Sequence, residues 1–172
     1  MRPRRSRRRS FGFAAGDNLA GPEGRFERRT SKGIRLRELV EEELAPYRRP
    51  TNASIEGPDL PLRREPARAL AIALHELVTN AVKHGALSTA DGRVAVWWQV
   101  AGELGSARLN LVWQEADGPA VAAPHEQGMG SRLIRNILHH ELGGRAELSL
   151  PPTGVRCAIE VPLARVADSP VG

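Results

Sequence analysis

The sequence predicts an α/β domain of two layers, helices against a mostly antiparallel sheet. Three observations carry that expectation. A long segment near residues 66–85 spaces its apolar residues for one helix face. Two consecutive runs, "RVAVWWQV" and "ARLNLVWQE", alternate apolar and polar residues as half-buried strands do, with no helix between them. A third pair, "RAELSL" and "VRCAIEVPL", flanks the turn "PPTG" as a hairpin would. Helices and strands therefore do not alternate regularly as in a doubly wound fold. The 172 residues fit one domain with a short appendage, and 41% hydrophobic content with only 4% aromatic implies one aliphatic core.

In chain order, residues 1–33 are rich in Gly, Pro and Arg without periodicity, which reads as a disordered segment. The domain is expected over 34–164. It opens with a short helix in "RLRELVEEELAPY", where Leu36, Leu39, Val40 and Leu44 share a face and Pro46 ends it. "TNASIEGPDLPL" reads as one or two short extended segments broken at Gly57-Pro58. The long helix should start near Glu65-Pro66, since proline suits a first turn, and run to about Gly85. Leu70, Leu74, Leu77 and Ala81 form its apolar stripe, with Val78 and Val82 beside it. In the two strands, Val94, Val96, Trp98 and Val100 share one face, as do Leu109, Leu111, Trp113 and Glu115. After the loop "ADGPAVAAPHEQ", the segment "GMGSRLIRNILHHELGG" reads as a helix closed by a glycine pair. Residues 165–172 read as a loose tail.

Charge excludes less than it first suggests. The formal net charge is +5, but six arginines lie in "MRPRRSRRRS", which leaves 19 basic against 20 acidic residues in the remainder. Nothing in the near-neutral domain argues for specific nucleic-acid binding. The lone Cys157 excludes an intrachain disulfide and, between Val155 and Ile159, reads as a packed thiol. The longest clean apolar run, "ALAIAL", is far too short for a membrane span, and the arginine-rich opening lacks the apolar stretch of a secretory signal. A cytoplasmic location is expected.

Three features point to chemistry. At about 100° per residue, Glu76, Asn80 and Lys83 fall within about 60° of one another on the long helix. Asparagine is a poor helix-interior residue, because its amide competes for backbone hydrogen bonds. A carboxylate, an amide oxygen and an ammonium aligned there suit Mg²⁺ and a polyphosphate, since Mg²⁺ takes few protein oxygens and completes its shell with phosphate and water. A solvated helix face would carry the same residue types. Gly128-x-Gly130-Ser131 stands at a helix start, where backbone N–H groups attract anions, although a flexible loop end would look the same. Walker A spacing is absent. Glu115 is in phase with inward-facing residues and, if buried, needs a donor partner. If the strand ends earlier, it simply meets water.

The order of these motifs is informative. His75-Glu76-Leu77 with Asn80, Lys83 and "HGALS", then Trp113-x-Glu115, then Gly128-x-Gly130, resembles the ATP-binding catalytic domain of HWE-type sensor histidine kinases. The flanking "LRELVEEELAPY" and "PTGVRCAIEVPL" fit the same family, so the likeness spans roughly residues 35–163. The resemblance implies a Bergerat-type α/β sandwich that binds Mg-ATP between a helix and a lid, here "AVAAPHEQ". It implies that Asn80 coordinates Mg²⁺, that Glu76 orients or deprotonates the attacking group, and that Lys83 contacts phosphate beside His84. Glu115 takes the adenine-recognising acidic position, and Gly128, Gly130 and Ser131 line the phosphates.

Two departures from the family pattern stand out. Asp117-Gly118-Pro119 replaces a glycine pair before the proline, putting an aspartate where glycine freedom is expected. Such an aspartate either weakens binding or takes over adenine recognition. No histidine precedes the catalytic segment: the five are His75, His84, His125, His139 and His140. The chain thus reads as a detached or truncated catalytic half that transfers the γ-phosphoryl to a histidine, or serves a response regulator, in trans, with a homodimer left open. A non-catalytic nucleotide-binding module and an anti-sigma-type serine kinase are the competing readings; the Trp-x-Glu pair argues against the latter.

Overall fold

The computed structural model describes residues 34–103, 105–120 and 129–167. Four helices occur among them: α1 (Leu36–Leu44), α2 (Arg64–Lys83), α3 (Met129–Leu142) and α4 (Leu163–Val166). The strands are β1 (Ile34–Arg35), β2 (Ala53–Glu56), β3 (Pro61–Leu62), β4 (Arg93–Ala101), β5 (Arg108–Ala116), β6 (Arg145–Ser149) and β7 (Arg156–Pro162). A five-stranded sheet has the order β2-β4-β5-β7-β6, parallel at β2–β4 and antiparallel elsewhere, while β1 and β3 form a small antiparallel pair. The two-layer α/β arrangement is the one the sequence predicts.

Register shows why one sheet face is core. Ile55, Val96, Trp113, Cys157 and Leu148 stand opposite one another across all five strands. This row is buried or packed against the buried core, as alternation requires of a sheet with one covered face. The stripe of α2 lies in the same core, with Leu70, Leu74, Leu77 and Ala81 all buried. Alanines 67, 69, 71 and 73 are buried beside them, and their small side chains let neighbouring backbone approach closely. Burial pushes the Cys157 thiol up to about 11, with Arg135 and Arg156 opposing only in part, so it stays a neutral packing group.

Local chemistry fixes the boundaries. Pro46 sits in a 3₁₀ turn, Ala45–Tyr47, that ends α1. Gly143, at φ +61°, caps α3 with its N–H on the His139 carbonyl at 3.1 Å. Arg37 of α1 stacks over Trp98 of β4 at 5.5 Å and donates to the Ile55 and Gly57 carbonyls. The Trp98 indole donates to the Pro58 carbonyl at 2.9 Å, so the turn after β2 is held from both layers.

Residues 165–167, expected to belong to a loose tail, are part of the fold, and residues 168–172 lie outside the described residues. Residues Leu163–Val166 form α4, and Val166 is fully buried. Arg63 donates its backbone N–H to the Val166 carbonyl at 2.9 Å, and Ala167 bridges to Leu62. An apolar valine facing the start of α2 supplies the reason, and neither periodicity nor turn chemistry signals so short an element. No helix among the described residues is long and apolar enough to cross a membrane.

Candidate functional site

The end of α2, the start of α3 and the end of β5 supply the residues singled out in the sequence. Glu76 is half-buried and Asn80 exposed on α2, on the side that faces the N-terminal turn of α3. A methyl group added at Gly130 would lie 2.9 Å from Glu76 Oε2 and 3.2 Å from Asn80 Nδ2. Glycine is what allows this approach: the backbone comes down directly onto a carboxylate and an amide. Ser131 is buried in the same turn. Lys83 and His84 are exposed at the C-terminal end of α2, one turn beyond Asn80. Gly128 and the lid segment from residue 121 on lie outside the described residues.

Glu115 is buried, at 3% exposure, as its phase on β5 implied. Its Oε2 accepts the Ala86 backbone N–H at 2.7 Å, and its Oε1 accepts the indole N–H of Trp113 at 3.1 Å. Burial holds its pKa above the ordinary carboxylate range, and the bonds from Ala86 and Trp113 oppose that only in part. Ala86 begins a 3₁₀ turn, Ala86–Ser88, directly after α2. His84 and Gly85 donate their N–H groups to the Asn80 carbonyl at 2.9 and 3.1 Å, so this turn and Asn80 share backbone bonds.

Asp117 is the departure that geometry explains. It takes φ +57°, the left-handed region that usually selects glycine, though aspartate tolerates it better than most residues. Its carboxylate accepts two hydrogen bonds from Arg93, from Nε at 2.8 Å and Nη2 at 2.5 Å. Its carbonyl accepts from Thr89 Oγ1 at 3.3 Å. The aspartate thus ties the end of β5 to the start of β4 at the rim of the site. Gly118, next along, lies against Ala86, where a methyl group would sit 2.8 Å from the Ala86 Cα.

Two groupings therefore emerge: Glu76, Asn80 and Gly130 on one side, and Glu115 with Trp113, Gly85 and Ala86 on the other. Sequence reasoning missed the Ala86 N–H, which no side-chain motif announces. It also missed Glu43, which is buried and whose Oε2 lies 3.0 Å from His75 Nδ1. The signal for Glu43 was present, because position 43 falls in the apolar stripe 36, 39, 40, 44 of α1. The donor set of Glu76 and Asn80, hard oxygens beside an anion-favouring helix start, fits Mg²⁺ with phosphates completing its shell.

No family model matches the chain. It is 33% identical over 133 residues to a blue-light-activated histidine kinase of Brucella anthropi, a match covering 76% of this chain and 27% of that protein. The corresponding kinase of Brucella ovis is 29% identical over the same shares. The chain spans about a quarter of the length of these curated relatives. Among solved structures, the histidine kinase domain of the Erythrobacter litoralis EL346 blue-light-activated kinase superposes with a TM-score of 0.56. The identity is 21%, over 73% of this chain and 58% of that one. The catalytic domain of histidine kinase ThkA gives 0.55 at 17% identity, over 75% and 94%. The chain has the fold of histidine-kinase catalytic domains, and in sequence it is similar to one quarter of the blue-light-activated histidine kinases.

Proposed function

We propose that this domain binds Mg-ATP between α2 and the start of α3 and passes the γ-phosphoryl to a histidine supplied by another domain or chain. The supporting observation is the convergence of Glu76 Oε2 and the Asn80 amide on the Gly130 backbone at a helix N-terminus. Bound there, Mg²⁺ would neutralise phosphate charge, with Asn80 as its protein ligand. Gly130 and Ser131 would present backbone to the phosphates, Lys83 and His84 would meet them from the end of α2, and the turn at 85–88 with Asp117-Gly118 would border the base.

The chemistry asks little of the protein beyond positioning. An acceptor imidazole nitrogen forms the new P–N bond as the bond from the γ-phosphorus to the bridging oxygen breaks, and ADP leaves. Glu76, half-buried and lacking a cationic partner among the ion pairs of the described residues, orients that imidazole or takes its proton. Kinship to histidine kinases favours this reading over a non-catalytic module or a serine kinase. Calorimetric titration with ATP, with and without Mg²⁺, tests it. Binding should require Mg²⁺ in the native chain, and Asn80→Ala should abolish the Mg²⁺-dependent part. An unchanged Mg²⁺ dependence in Asn80→Ala would place the metal elsewhere.

A further inference from the structure

Glu115 does not present an open carboxylate. It is 3% exposed, and each oxygen already accepts a buried N–H, one from Ala86 and one from Trp113. Gly85 closes over it, for a methyl group there would lie 2.1 Å from Glu115 Oε2. Trp113 is itself fully buried, two residues back on the same strand face, so its indole N–H depends on Glu115 for a partner. Spacing of two on a strand is what brings an indole donor onto a neighbouring carboxylate.

We infer that Trp113 and Glu115 are positioning residues: together they latch the Gly85–Ala86 turn onto β5, and so act on a nucleotide through that turn rather than by reading its base. The latch reaches the metal side as well. The N–H groups of His84 and Gly85 bond the Asn80 carbonyl, so fixing Ala86 fixes the last turn of α2, which carries Asn80. The geometry stands by itself; the consequence for ligand affinity rests on the Mg-ATP reading above.

A double-mutant cycle tests it. A carboxylate accepts at both oxygens, whereas a glutamine offers one acceptor and one NH₂. In Glu115→Gln, one of the two buried N–H donors must face another donor, and Mg-ATP binding should weaken roughly tenfold. In Trp113→Phe the indole donor is gone, so adding Glu115→Gln should cost about twofold or less. Equal tenfold losses on both backgrounds would overturn the latch. Purine riboside triphosphate, which lacks the exocyclic amine, separates positioning from base reading. Glu115→Gln should weaken this analogue and ATP alike, and a loss confined to ATP would overturn the inference. Amide exchange at Ala86, followed by NMR without nucleotide, reads the latch even where a variant fails to fold. Strong protection is expected in the native chain, and exchange at the rate of an open turn would sink the latch. Native protein that protects Ala86 but binds no Mg-ATP would sink the nucleotide reading and leave the latch standing.

Discussion

Asn80 shows at the scale of one residue what the proposed metal site would cost a helix. It is exposed on α2, four residues from Glu76, and alanine would suit the helix better by up to about 0.7 kcal/mol. Asn80→Ala is therefore expected to hold or raise the melting temperature while removing Mg²⁺ dependence, and differential scanning calorimetry with and without Mg²⁺ reads both. A fall in melting temperature without ligand would mean that the amide serves the fold instead. Glu115 makes the opposite trade. Burial raises its pKa above the unfolded value near 4.5, so the folded state holds that proton to higher pH. Its contribution is then fully present below the unfolded value and is lost as pH rises through the folded one. The melting-temperature advantage of the native chain over Glu115→Gln should shrink as pH climbs from about 4 toward neutrality. An advantage that grows over that range would mean that the two N–H donors outweigh burial.

Between elements, the tie that matters is His75 of α2 to Glu43 of α1. Glu43 is buried, and His75 Nδ1 lies 3.0 Å from its Oε2. Removing the imidazole strands a buried carboxylate, which costs about 1–3 kcal/mol. His75→Ala should accordingly lower the melting temperature by several degrees while leaving the Mg²⁺ dependence of nucleotide binding intact. Lost Mg²⁺ dependence at unchanged stability would move His75 into the site. The same pair marks what could be read from sequence. Helices, strands and the inward phase of Glu115 were legible, because periods of 3.6 and 2 record which side of each element is buried. The row of Glu76 and Asn80 was legible for the same reason. Partners across space were not: nothing local says that His75 faces α1 or that Ala86 donates to Glu115, thirty and more residues apart in one case and nearly so in the other. The packed Val166 was missed because a four-residue helix carries no period.

At the scale of the molecule, the first and last of the described residues converge on one point. Ile34 pairs with Leu62 through β1 and β3, and Ala167 bridges to the same Leu62. The chemistry proposed for the site also depends on where histidines lie in the whole. His139 stands nine residues beyond Gly130 on α3, roughly 13 Å along the axis at 1.5 Å per residue. Phosphoryl transfer needs reacting atoms about 3–3.5 Å apart, so neither His139 nor His140 can reach a phosphate held at Gly130. His75 is turned to Glu43, and His125 lies outside the described residues. His84 is the described histidine that stands beside the proposed phosphates, and its proposed part there is to bind them; the 172-residue chain incubated alone with γ-labelled Mg-ATP should acquire no acid-labile phosphate. Adding a separate helical-hairpin acceptor domain from a related histidine kinase should produce label on that acceptor, at a rate proportional to its concentration. Label on the chain by itself would overturn this expectation. His84, four residues past Asn80, would then be the position to replace first, since it alone among the described histidines stands within a helical turn of the proposed metal ligand.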